Sequence, residues 1–218
     1  RQLPVGDQVV DAILKLVRSA RPGTGIDEEL DDMIAWGPGP RASQALMLAV
    51  RAKAMMDGRL APSVDDVIEL AEPVLRKHKV KLAIENHKGW RAAEHVAWIK
   101  RLGSEWIGAC YDFGNNIALC EDPAETLRLL APVTIYVSFK DMAVAPYDEG
   151  FLLSEMALGD GMLDVPGMVK VLQQKDPNMI FALEMITRDP LKIPVLTRKY
   201  WATFDDTYSP LPGRDLAR

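Results

Sequence analysis

The spacing of apolar residues along the chain changes period once, near residue 80. Before that point apolar positions recur at helical intervals. They run through Val9, Ile13, Leu14, Leu16 and Val17, then Leu46, Met47, Val50, Ala54 and Met55, then Val67, Ile68, Leu70, Ala71 and Leu75. No segment there alternates with period two. Gly37, Pro38, Gly39 and Pro40 break the pattern and predict a helix from about Arg41 to Gly58. Ser63, with Asp65 and Asp66 behind it, predicts the N-cap of a helix running to about His78. Residues 1–78 thus read as a small all-helical domain of about four helices.

From residue 79 the pattern becomes strand, helix, strand, helix. Apolar strands are predicted at Leu82–Ile84, Ile107–Tyr111, Val133–Phe139 and Ile180–Met185, with amphipathic helices near Arg91–Leu102, Pro123–Ala131 and Val165–Gln174. A last helix is expected after Pro190. Such alternation predicts an α/β fold with a parallel sheet and crossover helices, four βα units over residues 79–218.

Composition narrows the function classes. The chain has 218 residues, 48% hydrophobic and 26% charged, with a net charge of −5. That balance gives no general attraction to nucleic acid or to anionic membranes. No apolar run is long enough to span a bilayer and no secretory pattern opens the chain, so a cytoplasmic location is the expectation. The first residue is Arg1 rather than Met, which reads as a fragment or a processed chain. Cys110 and Cys120 fit neither a disulfide framework nor a zinc or redox motif and are expected as small buried apolar residues.

Each predicted strand ends in a polar residue that departs from its apolar run: Glu85, Asp112, Ser138 and Glu184. The C-terminal ends of parallel strands lie on one edge, so three carboxylates are expected to converge there. Like charges held together call for a divalent cation or for protonation of one partner. A carboxylate-rich set suits Mg²⁺ or Mn²⁺, and added imidazole shifts it toward Mn²⁺, Co²⁺ or Zn²⁺. His87 shares the direction of Glu85 if the strand continues. His78 and His95 lie on helices and are expected at the surface.

Four motifs carry a resemblance. They are Leu-Ala-Ile-Glu-Asn-His-Lys at 82–88, Asp-Phe-Gly-Asn-Asn at 112–116, Phe-Lys-Asp-Met at 139–142 and Leu-Glu-Met-Ile-Thr-Arg-Asp-Pro-Leu-Lys at 183–192. Residues of about 77–205 resemble the C-terminal half of the sugar phosphate isomerase/epimerase family, the xylose-isomerase-like TIM barrels. The resemblance implies strands five to eight of such a barrel, a divalent metal on Glu85, Asp112 and Glu184, and a sugar or sugar phosphate substrate. Glu85 and Glu184 would be the acid/base pair, one removing and one delivering the proton alpha to a carbonyl through an enediolate. The third ligand position departs from the family: Ser138 stands where His is usual, which implies weaker metal binding or water in the ligand set. His87, Asn115, Lys140 and Arg188 are candidate substrate-binding residues, with Lys140 and Arg188 otherwise surface ion-pair partners.

The helical part resembles a different family. Gly-Pro-Gly-Pro-Arg-Ala-Ser-Gln-Ala-Leu-Met-Leu-Ala at 37–49, with Asp-Gly-Arg at 57–59, Ser63 to Val67 and Glu72 to Arg76, is similar to the C-terminal lid of MoxR-family AAA+ ATPases. The resemblance implies that Arg41 reaches a nucleotide bound by an AAA+ core on another chain. The chain itself holds no GxxxxGK[ST] loop and no acidic Walker B strand. The join falls near Glu72–Lys81 without a linker. Four strands cannot close an eight-stranded barrel. The expectation is therefore an open four-stranded sheet, a half TIM barrel, with self-association through its exposed edges as one outcome. Three functions follow: a metal-dependent isomerase or epimerase, whole or incomplete; an AAA+ lid or regulatory module; or a truncated fusion with no activity.

Overall fold

The computed structural model describes residues 3–19, 21, 39–87, 89–186 and 188–202, and the chain divides into two compact units, residues 1–80 and 81–218. The first contains α1 (Asp7–Ser19), α2 (Pro40–Met56) and α3 (Val64–His78). About four helices were expected here; three are described, and residues 22–38 lie outside the described residues. Val9 and Ile13 of α1, Val50 of α2 and Val67 of α3 form the buried centre of this unit, as the helical spacing predicts. Pro40 opens α2, where its missing N–H is no loss. Asp66 closes the start of α3 by accepting the Ser63 N–H at 2.8 Å. The Arg59 guanidinium grips both oxygens of the same carboxylate at 2.6 and 2.9 Å, tying the α2–α3 turn to α3.

The second unit contains two sheets. The first is parallel, in the order β1 (Leu82–Glu85), β2 (Ile107–Asp112), β3 (Thr134–Phe139) and β6 (Phe181–Leu183). Its crossover helices are α4 (Ala92–Leu102), α5 (Pro123–Leu130) and α6 (Val165–Lys175). Among the described residues this sheet has four strands, with β1 and β6 at its edges. All four lie close to their expected positions. The second sheet was not expected. A hairpin of β4 (Asp141–Tyr147) and β5 (Gly150–Met156) is inserted between β3 and α6, and β7 (Leu191–Ile193) pairs antiparallel with β5. The stretch after Pro190, expected as a helix, therefore begins as a strand, and a short helix α7 (Arg198–Ala202) follows among the described residues. Backbone pairing with β5 decides this locally, since a three-residue strand has too little sequence to show a period.

Register sorts the side chains of the parallel sheet into two faces. Glu85 lies opposite Cys110, Asp112 opposite Ser138, and Ser138 opposite Ala182. Residues in register share a face and alternate residues return to it, so Glu85, Asp112, Ser138 and Glu184 all belong to one side. The other side carries a row of rings from Tyr111 through Phe113 and Phe139 to Phe181, with centroids 5.1 to 6.5 Å apart. Tyr111 and Phe113 are fully buried with Leu130, Val137 and Leu172. His95 of α4 is also fully buried, edge-on to Trp90 at 5.7 Å, and corrects the expectation of a surface histidine. The side chain of His78 lies outside the described residues. No described helix is long and apolar enough to cross a membrane.

Candidate metal and acid/base centre

Three strand ends bring Glu85, Asp112 and Glu184 together. One carboxylate oxygen of each lies within 4.8 Å of the others. Asp112 is wholly buried and held by its surroundings. Its Oδ1 accepts the N–H groups of Gly114 and Asn115 at 2.8 and 2.9 Å, and its backbone N–H donates to Asn86 Oδ1 at 2.6 Å. Asn86 Nδ2 returns a bond to the Asp112 carbonyl at 2.9 Å, extending the β1–β2 ladder by one side chain. Glu85, more exposed, accepts from Asn115 Nδ2 at 2.8 Å and lies 3.2 Å from His87 Nδ1. Glu184 Oε2 accepts the Ser138 hydroxyl at 2.6 Å. Ser138 thus reaches the cluster through the carboxylate beside it.

Lys140 is the main correction within the site. Expected as a substrate contact or a surface ion-pair partner, it is buried, and its Nζ lies 2.8 Å from Asp112 Oδ2, 3.2 Å from Glu184 Oε1 and 3.6 Å from Glu155 Oε1. Gly114 makes room for it, because a Cβ there would come within 2.7 Å of Met142 and 3.3 Å of Lys140 Cδ. Glu155 is a fourth, buried carboxylate that sequence reasoning missed, since it belongs to the unforeseen hairpin. The signal was Asp148-Glu149-Gly150 between two apolar runs, a hairpin pattern. Asn86 and Asp141 were missed as well. Asp141 accepts four backbone N–H groups, from Met142, Gly159, Gly161 and Leu163, at 2.8 to 3.1 Å, and so fixes the residue next to Lys140. Arg188 and His87 are exposed. Arg41 is exposed in the first turn of α2.

The electrostatics follow from one ammonium against three carboxylates, Asp112, Glu155 and Glu184, with Glu85 beside them. Burial pushes the Asp112 carboxyl up to about 6, against the pull of Lys140. Burial would also raise Glu184, but hydrogen bonds from Ser138 and Lys140 hold it below its ordinary value. Burial works against the Lys140 ammonium too, yet Asp112 and Glu184 raise it. The Cys110 thiol, on the same face, is pushed up to about 12 by burial and by the neighbouring carboxylates.

These residues fit a divalent cation. Asp112 Oδ2 is buried without a well-directed hydrogen bond, Lys140 making only a charge contact to it. One ammonium leaves three of four negative charges unbalanced when all are ionised. The three converging donors are oxygens, the set that suits Mg²⁺ or Mn²⁺. A cavity of about 990 Å³ lies elsewhere in this unit, lined by residues such as Arg91, Ile117, Phe151 and Leu196, and none of the cluster residues borders it.

Fold and comparison meet here: residues 55–202 match the xylose isomerase-like TIM barrel family, and the chain belongs to it. The match begins at residue 55, so α3 falls inside it although its motifs resemble an AAA+ lid. Over 123 residues the chain is 27% identical to the 3-oxo-isoapionate decarboxylase of Pectobacterium atrosepticum, covering 54% of this chain and 45% of that protein. A xylose isomerase-like TIM barrel protein of Mycobacterium smegmatis, crystallised in complex with magnesium, superposes with a TM-score of 0.53 at 16% identity, over 91% of this chain and 66% of that one. A xylose isomerase domain protein from Planctomyces limnophilus aligns with a TM-score of 0.49 at 21% identity, over 56% of this chain and 45% of that one. The chain spans about half the length of the curated relative it matches.

Proposed function

We propose that this chain uses Glu85, Asp112 and Glu184 to hold a divalent cation, Mn²⁺, Mg²⁺, Co²⁺ or Zn²⁺, and to move a proton next to a carbonyl of a sugar or sugar phosphate, as an isomerase or epimerase does. The observation that carries the reading is the convergence of the three carboxylates on one face, at the C-terminal ends of parallel strands. Glu85 and Glu184 come from the two edge strands and flank Asp112, so a substrate between them would meet one base and one acid. Asn115 and His87 orient Glu85, while Ser138 and Lys140 hold Glu184 ionised. When bound, the cation supplies charge stabilisation to adjacent substrate oxygens. Loss of CO₂ from a 3-oxo acid, as the curated relative's name implies, also leaves an enolate beside a carbonyl and would suit the same groups.

Calorimetric titration with Mn²⁺ tests this reading. The parent chain is expected to bind below millimolar concentration, and Glu184→Gln to weaken binding about 10–100-fold. A parent that binds no Mn²⁺ below millimolar concentration would overturn it. The family match leaves residues 1–54 outside it, among them α1 and the Arg41 motif of the AAA+ lid reading. ATP-dependent binding to a lid-less MoxR core, lost in Arg41→Ala, would favour that reading instead.

A further inference from the structure

Lys140 occupies the only position between β3 of the parallel sheet and β4 of the hairpin. Its ammonium contacts oxygens of two of the three candidate cation ligands, Asp112 Oδ2 and Glu184 Oε1. Asp112 Oδ1 is already taken by two backbone N–H groups and Glu184 Oε2 by Ser138. A cation on Asp112 is therefore directed to Oδ2, the oxygen that Lys140 holds, and one that also uses Glu184 Oε1 competes with Lys140 there as well. The third partner of Lys140, Glu155 Oε1, belongs to β5 of the other sheet and lies outside the three converging carboxylates. The second oxygen of Glu155 accepts the backbone N–H of Ile186, two residues beyond Glu184. Both glutamate oxygens thus bind parts of the site, and both Lys140 and Glu155 are buried.

We propose that Lys140 and Glu155 form an internal latch for the cation site: the Lys140 ammonium holds Asp112 and Glu184 together without metal, and Glu155 retains it when the cation takes those oxygens. The proposal rests on the metal reading above. In the metal-free protein the ammonium offsets repulsion between ligands drawn from different strands. With metal bound, the ammonium keeps a buried carboxylate partner, so the site does not strand an unpaired charge. Through Ile186, Glu155 also keeps the loop carrying Glu184 attached to the hairpin in both states.

Mn²⁺ titration of the full chain, followed by calorimetry and by loss of the free Mn²⁺ paramagnetic signal, tests the latch. Lys140→Met removes the competitor and is expected to tighten Mn²⁺ binding about tenfold. Glu155→Gln keeps an acceptor for Ile186 but removes the alternative partner of Lys140, and is expected to weaken binding about tenfold. The double variant decides the matter. Under the latch Glu155 has nothing left to retain, so the double variant matches Lys140→Met. If the two residues act only through net charge, their effects add and the double variant returns to the parent value, which overturns the latch. Lys140→Gln, which keeps a hydrogen-bonding group, replaces Lys140→Met if the latter unfolds, with the same expectations. Absence of Mn²⁺ binding in both the parent and the Lys140 variants would instead overturn the metal reading and the latch with it, an outcome distinct from additive effects on measurable binding.

Discussion

His95 makes acid stability a sharp test of the packing of α4. Its ring is fully buried, neither ring nitrogen has a hydrogen-bond partner, and burial lowers its pKa from 6.5 to about 4. The folded protein therefore resists protonation that the unfolded chain accepts. A depressed folded value means that stability is fully present above pH 6.5 and is lost as pH falls toward and through about 4. At about 1.36 kcal/mol per pH unit the full loss is about 3 kcal/mol, of which about 2 kcal/mol is gone by pH 5. Asp112, raised to about 6, pulls the other way over much of the same range, because deprotonating it in the fold becomes costly as pH rises. The assay must therefore be a difference. Urea unfolding of the parent and of His95→Leu, each measured between pH 4.5 and 7.5, isolates the histidine because Asp112 is common to both. The variant is expected to gain on the parent as pH falls below 6.5, by about 2 kcal/mol at pH 5. A difference that stays constant with pH would refute the reasoning, for it would mean that the ring is solvated or partnered.

Two further predictions concern single carboxylates that hold turns together. Asp66→Ala removes the acceptor of the Ser63 N–H and the partner of the Arg59 fork, and should cost the helical unit about 2–3 kcal/mol, read from the helical signal in urea. Asp141→Ala leaves four backbone N–H groups without their acceptor, and should speed amide exchange at Gly159, Gly161 and Leu163 by far more than at Leu172 of α6; uniform exchange throughout the unit would show that the clamp is not local.

What could be read from the sequence was whatever short-range patterning controls. The strands at 82–85, 107–112 and 134–139 announce themselves by apolar runs, and Glu85, Asp112 and Glu184 by breaking those runs. The hairpin was missed although two largely apolar runs flank Asp148-Glu149-Gly150, because it interrupts the strand–helix alternation, and its β5 is held by ladder pairing with both β4 and β7. Lys140 was misjudged because its burial depends on three acidic partners from β2, β5 and the β6 exit, separated by up to dozens of residues. His95 was readable after all. It falls with Ala92, Val96 and Ile99 on one buried stripe of α4, and the spacing of that stripe outweighs the polarity of imidazole.

The cluster also says something about the shape of the sheet. Glu85 ends one edge strand and Glu184 follows the other, with β2 and β3 between them. In a flat sheet those edges would stand about 14 Å apart, three spacings of about 4.8 Å. Their ligand oxygens nevertheless lie within 4.8 Å. Two glutamate side chains reaching toward each other across the shared face close that gap. At the register shift between Ala109 and Cys110, Ile135 of β3 is the extra residue, so β3 bulges two pairs before Asp112 meets Ser138. The shared face and parallel register of these strand ends are thus what gather the carboxylates. Four strands suffice to gather the charges, while walls that distinguish one sugar from another need more surface than these strand ends present.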